Sequence, residues 1–214
     1  MVLEIFANLG YIILLINTVI FLMGFSKWGK AYKIFAFYLF VMFLIQITVG
    51  TLQYMRIDNL FLSHFYFILQ FILLSFFYLN LGLNGVQKKI IQLGFVFCLL
   101  TLSVQYALDF SLFLKFNLFE IFITSFLIIL YGTFQLYNLL NEKKEFYYIN
   151  LGILIYLFGS TVLFLVGNLA TKMATEFNDI PWILNALLYV VYQIFILYEW
   201  KKSFSGTKKL SYGQ

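Results

Sequence analysis

Residues Ile5–Phe25 form an unbroken apolar segment, IFANLGYIILLINTVIFLMGF, near the start of the chain. A helix that crosses a bilayer needs about 20 mostly apolar residues, and this segment has that length. Its central run Tyr11–Ile16, YIILLI, does not alternate apolar and polar residues as a membrane β-strand would. Only Glu4 is charged ahead of the segment, so it lacks the positive n-region of a secretion signal. The segment therefore predicts a retained transmembrane helix.

Further segments of the same kind follow along the chain. They are residues 34–54, 61–81, 90–108, 117–140, 147–169 and 181–200, and their interiors contain no lysine or arginine. The composition agrees, because 63% of the residues are hydrophobic and 11% are charged, whereas about a quarter of a soluble domain is charged. We expect an all-α, polytopic membrane protein in which residues 1–214 form a single seven-helix transmembrane domain.

The distribution of positive charge predicts the orientation of this domain. One set of connections holds Lys27, Lys30, Lys33, Lys88, Lys89, Lys143, Lys144, Lys201, Lys202, Lys208 and Lys209, and the other set holds Arg56, Lys115 and Lys172. Short cytoplasmic loops carry an excess of lysine and arginine. The N-terminus is therefore expected outside the cell and the C-terminus in the cytoplasm. The net charge of +5 could suggest a nucleic-acid partner, but the placement of the positive residues indicates membrane orientation instead, so no nucleic-acid partner is expected.

Polar residues concentrate in the halves of the spans that should lie towards the outside. The ligand-binding candidates among them are Gln53, His64, Gln105, Glu120, Asn168 and Asn185. Because polar groups in a bilayer usually face the bundle interior or water, this enrichment predicts a polar cavity open to the outside. The alternative is ordinary hydrogen bonding between helices. A histidine beside a carboxylate, as in His64 and Glu120, would also suit proton sensing.

Two stripes with helical spacing are predicted to lie at helix–helix contacts. Gly152, Gly159 and Gly167 recur along the sixth span, where small residues allow a neighbouring helix to approach closely. Packing within the bundle is the first interpretation of these glycines, and a docking seam for a partner is the second. The seventh span carries Asn185, Tyr189, Tyr192 and Gln193 on one face, which should point towards other helices.

Several kinds of site are excluded by residue content. One histidine and one cysteine, Cys98, cannot build a zinc site, a haem site or a disulfide framework. A retinal Schiff base would need a lysine within the seventh span, and the first lysine after its start is Lys201. The chain has no Gly-x-Ser-x-Gly, His-Glu-x-x-His or phosphate-binding glycine loop. We expect no metal, no cofactor and no catalytic residues.

Residues 59–66, NLFLSHFY, and 70–78, QFILLSFFY, combine a histidine with an aromatic-rich third span. This region resembles the third helix of small uncharacterised seven-helix proteins of Bacteroidetes-type bacteria. The abundance of Phe, Tyr, Ile, Lys and Asn in the whole chain is similar to that group. The resemblance implies a bacterial inner (cytoplasmic) membrane and no particular activity.

Three functions remain open at this point. The first is a membrane receptor or accessory subunit that senses an external ligand or state. Since the short connections contain no soluble effector module, such a protein would act through a membrane protein partner as well as contacting the lipid bilayer. The alternative is a small-solute transporter that uses the same cavity, although no proline interrupts the spans as in many transporters. The third is an intramembrane enzyme with His64 and Glu120 as acid and base.

Overall fold

The computed structural model describes residues 2–139, 145–173 and 179–205, with side chains up to Asn168 in the sixth helix. The helices are α1 (Val2–Met23), α2 (Lys30–Tyr54), α3 (Leu62–Leu79), α4 (Gly85–Leu108), α5 (Leu118–Asn138), α6 (Tyr147–Met173) and α7 (Ile180–Glu199). A short 3₁₀ helix, Phe110–Leu114, joins α4 to α5, and a π-helical turn, Trp200–Phe204, continues α7. The described residues contain no β-strand. The prediction of an all-α fold is confirmed.

Seven helices in the described part of the chain are long and apolar enough to cross a membrane. Many of their apolar side chains point outwards, as do Ile12, Ile16 and Val19 of α1, which are 57%, 44% and 47% exposed. In water such a surface would be costly, whereas in lipid it is solvated by acyl chains. The protein is therefore a multi-pass membrane protein.

The helix ends differ from the predicted spans because polar caps extend the helices beyond the apolar segments. The fourth helix begins at Gly85, five residues before the predicted start at residue 90. Its N-cap is Asn84, whose side chain accepts a hydrogen bond from the Gln87 amide, while the Gln87 side chain accepts one from the Asn84 amide. This capping box brings Gln87, Lys88 and Lys89 into the helix. The predicted end of the fifth span at residue 140 lies outside the described residues.

Six helices form a closed ring in the order α1, α2, α3, α5, α6, α7 and back to α1. Helix α4 lies outside this ring and packs against α3 and α5. Its buried residues are Gln87, Ile91, Cys98 and Leu102. Because short connections return the chain after each helix, the N-terminus lies at the same end of the bundle as the α2–α3, α4–α5 and α6–α7 connections.

Buried amides tie the ring together across sequence-distant helices. Asn17 of α1 donates through Nδ2 to the backbone carbonyl and to Oε1 of Gln193 in α7, both at 2.9 Å. Asn150 of α6 accepts from the Tyr78 hydroxyl of α3 at 2.7 Å and donates to the Gly132 carbonyl of α5 at 3.0 Å. Such bonds are each worth about 0.6 kcal/mol on average in a membrane. Their main effect is to set the rotation of each helix.

The described positive residues divide between the two ends of the bundle as the sequence divides them. Lys27, Lys30, Lys33, Lys88, Lys89, Lys201 and Lys202 lie at one end, here called the lysine-rich end. Arg56 and Lys115 lie at the other, the N-terminal end. Lys143, Lys144, Lys208 and Lys209, together with the Lys172 side chain, lie outside the described residues.

Candidate functional site

The N-terminal end of the bundle contains a cavity of about 410 Å³. It lies between α1, α2, α3, α6 and α7, and the segment joining α4 to α5 contributes Phe116. Its aromatic lining consists of Tyr11, Tyr66, Phe67, Phe116, Tyr156, Phe164, Trp182 and Tyr189, and its polar lining consists of Gln46, Asn59, Ser63 and Asn185. None of the described lining residues is charged. Mostly apolar walls with a few polar groups are typical of small-molecule sites, whose volumes run from about 300 to 1,000 Å³.

A layer of tyrosines closes the inner side of this cavity. The hydroxyls of Tyr66 and Tyr156 lie 3.4 Å apart, and the Tyr156 ring stacks on Tyr192 with 5.2 Å between the centroids. Tyr192 in turn donates a hydrogen bond of 3.2 Å to the Tyr38 hydroxyl on α2. The Asn17–Gln193 pair of α1 and α7 lies next to this layer, since Gln193 directly follows Tyr192 on α7. The cavity thus rests on polar side chains from five helices, α1, α2, α3, α6 and α7.

Two polar atoms in the cavity wall lack hydrogen-bond partners within the described part of the chain. They are the Tyr189 hydroxyl and Asn185 Oδ1, one helical turn apart on α7. The Gln193 side chain, from the next turn of α7, lies near the Tyr189 hydroxyl but does not form a hydrogen bond with it. Both atoms are buried, while the side chains that carry them line the cavity. Since buried polar atoms normally have hydrogen-bond partners, these two atoms leave the hydrogen bonding of this wall incomplete.

A second buried group lies on the opposite side of the first turn of α3. His64 and Glu120 are each 1% exposed, and His64 Nδ1 lies 3.1 Å from Glu120 Oε2. The Tyr106 hydroxyl, from the last turn of α4, lies 2.8 Å from His64 Nδ1 and donates a very short hydrogen bond to Glu120 Oε2. We call His64, Tyr106 and Glu120 the His–Tyr–Glu cluster. It joins three helices through one carboxylate oxygen.

The surroundings of this cluster position it and cover it. Asn117 caps α5 by accepting from the Glu120 amide, and its Nδ2 donates to the Tyr106 hydroxyl and to Gln105 Oε1, both at 3.2 Å. Phe113 of the 3₁₀ helix stacks on the His64 ring with 5.1 Å between the centroids. His64 Nε2 and Glu120 Oε1 have no hydrogen-bond partner among the described residues.

The structure separates the predicted ligand-binding residues into different places. His64, Gln105 and Glu120 come together at the His–Tyr–Glu cluster, and Asn185 lies in the cavity. His64, Glu120, Asn168 and Asn185 do not all line this cavity, because α3 presents Ser63 to the cavity and His64 to α4 and α5. Asn168 is half-buried on α6 and is not among the cavity-lining residues.

Gln53, another predicted ligand-binding residue, does not line the cavity either. It lies in the last turn of α2 and is exposed, whereas Gln46, two turns earlier, lines the cavity. Depth along the helix was the only criterion available from the sequence, and it does not distinguish the inner face of α2 from its outer face.

The glycines of α6 face α7. A Cβ atom at Gly152 would lie 2.8 Å from Phe195 Cβ, and one at Gly159 would lie 2.6 Å from Leu188 Cδ1. At Gly167 the nearest atoms, in Pro181 and Trp182, are 3.5 Å away. This face of α6 is occupied by α7, so a partner protein could not dock on it without separating the two helices.

Tyr106, Asn117, Tyr66, Tyr156 and Trp182 are site residues that the sequence interpretation did not include. Tyr189 was assigned only to the inward-facing stripe of α7, and that stripe does point into the bundle. The spacing of Asn185 and Tyr189 was the signal for the cavity wall. Tyr106 carried no such signal, because it meets His64 only through the packing of α4 on α3.

No family model, curated protein or solved structure matches this chain.

Proposed function

We propose that this protein is a bacterial inner-membrane receptor or accessory subunit that binds a small uncharged ligand in the cavity and acts through a membrane protein partner. The cavity at the N-terminal end, which is rich in aromatic side chains and has no charged residue in its described lining, is the observation that carries the proposal. Its walls favour a ligand with a flat apolar body, because aromatic rings gain from offset and edge-to-face contacts. Tyr189 and Asn185 would supply one donor and one acceptor to its polar groups.

The tyrosine layer supports a receptor over a transporter. A solute crossing the bundle would have to break the Tyr38–Tyr192 bond and then pass the Asn17–Gln193 pair. A ligand that only binds would instead change the packing of Tyr156 and Tyr189 at the cavity floor. Such a change reaches α7 and α2 directly, and a partner in the membrane could detect it.

Filling the cavity is expected to abolish ligand binding. Ala186 lines the cavity, so Ala186→Phe would place a ring inside it. We would use 1-aminoanthracene, an uncharged aromatic amine, as the probe, with the protein in nanodiscs and Trp182 as the sole tryptophan after Trp28→Phe and Trp200→Phe. Energy transfer from Trp182 to the probe should saturate, and Ala186→Phe should weaken the apparent affinity at least about tenfold, a loss of about 1.4 kcal/mol.

The matched control is Ala107→Phe, which adds the same ring at an exposed position of α4. It should bind the probe as the parent does. Energy transfer that rises without saturation, equally in all three proteins, would show partition into lipid and would contradict the binding site.

Purification from the native host separates the receptor from the transporter. The receptor proposal expects a membrane protein to accompany the chain in a fixed ratio through mild-detergent purification. Recovery of the chain alone, together with uptake of labelled solutes into proteoliposomes that Ala186→Phe abolishes, would favour the transporter.

The proposed orientation places the cavity outside the cell and the lysine-rich end in the cytoplasm. The charge asymmetry supports this orientation, and the resemblance of residues 59–78 to Bacteroidetes-type proteins supports the bacterial inner membrane. In a Cys98→Ala background, an impermeant maleimide added to sealed cells should label Asp58→Cys and Phe110→Cys. Lys89→Cys should react only after permeabilisation. Labelling of Lys89→Cys in sealed cells would show that the orientation is the opposite of the one proposed.

A further inference from the structure

The His–Tyr–Glu cluster is a buried group of titratable side chains that the proposed ligand site does not use. Its three polar atoms, His64 Nδ1, Tyr106 Oη and Glu120 Oε2, are mutually within hydrogen-bonding distance. The carboxylate oxygen can accept from both His64 Nδ1–H and the Tyr106 hydroxyl. With neutral histidine and ionised glutamate, both bonds form and the cluster carries one net negative charge.

That net charge has no counterion among the described neighbours of Glu120. The titratable groups that face it are His64 from α3 and Tyr106 and Cys98 from α4. Asp109 and Lys115 lie near the same end but are exposed and hydrogen-bonded to Ser111. An isolated charge in an apolar environment is strongly unfavourable, and one added proton removes it.

We propose that the His–Tyr–Glu cluster is a proton-binding site that takes up one proton, shared between His64 and Glu120. Either imidazolium with carboxylate or imidazole with carboxylic acid makes the cluster neutral. The proton belongs to the pair as a unit, because the two groups are in direct contact. Tyr106 holds the accepting oxygen in place and connects the site to α4.

Release of the proton should loosen the attachment of α4. The charged cluster needs water, and water can enter only if the 3₁₀ helix with Phe113 or the last turn of α4 moves. The far end of α4 is held separately by the reciprocal side-chain bonds of Gln87 and Asn138, at 3.2 and 2.9 Å. Helix α4 lies outside the ring, so it can move at one end while the ring stays closed.

The chain offers a direct reporter, because His64 is its only histidine. Protein labelled with ¹⁵N-histidine in nanodiscs gives imidazole signals from His64 alone. We expect one titration step between pH 4 and 10 whose midpoint moves by at least about one pH unit in Glu120→Gln, because the shared proton has lost its second carrier. Tyr106→Phe, which keeps the ring, should move the midpoint less.

Two results would overturn the proposal. One is the absence of any His64 step over this pH range in the unmodified protein, which requires no variant to fold. The other is a midpoint that stays the same in Glu120→Gln within about 0.3 pH units, which would show that the two residues do not share a proton.

Hydrogen exchange tests the movement of α4. After correction for the chemical exchange rate, amides of residues 103–114 should lose protection at least about tenfold between pH 6 and pH 9. Glu120→Gln should remove this pH dependence, because its cluster cannot become negatively charged. Residues 87–95 at the other end of α4 serve as the internal control. A uniform loss of protection along α4, or no loss in residues 103–114, would contradict the link between proton release and movement of α4.

Discussion

Glu199→Ala is expected to lower the free energy of unfolding by on the order of 3 kcal/mol. Glu199 is completely buried at the lysine-rich end, and its carboxylate accepts from the backbone amides of Phe146 at 3.2 Å and Tyr148 at 2.7 Å. These amides begin α6, so a side chain of α7 supplies the N-terminal cap that α6 needs. Alanine would leave both donors without this acceptor, the Phe146 amide in a buried position and the Tyr148 amide in a partly buried one.

The backbone of Phe146 indicates where α6 would unwind if this cap were lost. Its φ is 60°, in the left-handed region that a bulky residue seldom adopts. Such a conformation costs of order 1–3 kcal/mol and persists only when the surroundings hold it. Glu199 holds the amide, and Phe77 and Phe204 pack against the ring. Loss of the carboxylate would release this strain by unwinding the start of α6.

Steric trapping in bicelles would measure the change in unfolding free energy. Glu145→Ala is the matched control, because Glu145 is the exposed carboxylate next to Phe146, and it should cost less than about 0.5 kcal/mol. Glu199→Gln retains a carbonyl acceptor, so its loss of unfolding free energy should lie between those of Glu145→Ala and Glu199→Ala. Equal effects of the alanine variants at 145 and 199 would refute the capping role.

Gly152→Ala is expected to destabilise the bundle by about 3 kcal/mol, at the upper end of overpacking effects. The added Cβ would meet Phe195 Cβ at 2.8 Å and Tyr192 Cδ2 at 3.1 Å. A Cβ atom is attached to the backbone, so no change of rotamer at Phe195 can relieve the contact. The two helices would have to separate, which would also disturb the Tyr192–Tyr38 hydrogen bond.

The other glycines of α6 provide graded controls for the same measurement. Gly159→Ala should cost less, since it meets Leu188 Cδ1, the end of a flexible side chain. Gly167→Ala should be neutral or stabilising, because its nearest neighbours are at ordinary contact distance and alanine favours helix by about 1 kcal/mol. If Gly167→Ala proved as damaging as Gly152→Ala, close approach of α7 would not be the reason for these glycines.

The helical architecture was predictable because it depends only on the length and hydrophobicity of consecutive segments of the chain. Each span needed only about 20 apolar residues, and the segments near 5–25, 34–54 and 61–81 overlap the observed α1, α2 and α3. The helix ends were less predictable where polar side chains cap them. Asn84 and Gln87 extend α4 into a region that hydrophobicity alone would exclude.

The candidate sites needed the tertiary structure, because depth in the membrane is only one of the coordinates of a side chain. Gln53 and His64 lie at the same end of neighbouring helices, yet Gln53 is exposed and His64 is 1% exposed. Their rotation about the helix axis is set by how each helix packs against its neighbours. Sequence alone thus determined seven membrane-spanning helices and the asymmetry of their charges. Only packing decided that Tyr106 joins His64 and Glu120 while Asn185 lines a separate cavity, since those contacts arise between helices distant in the chain.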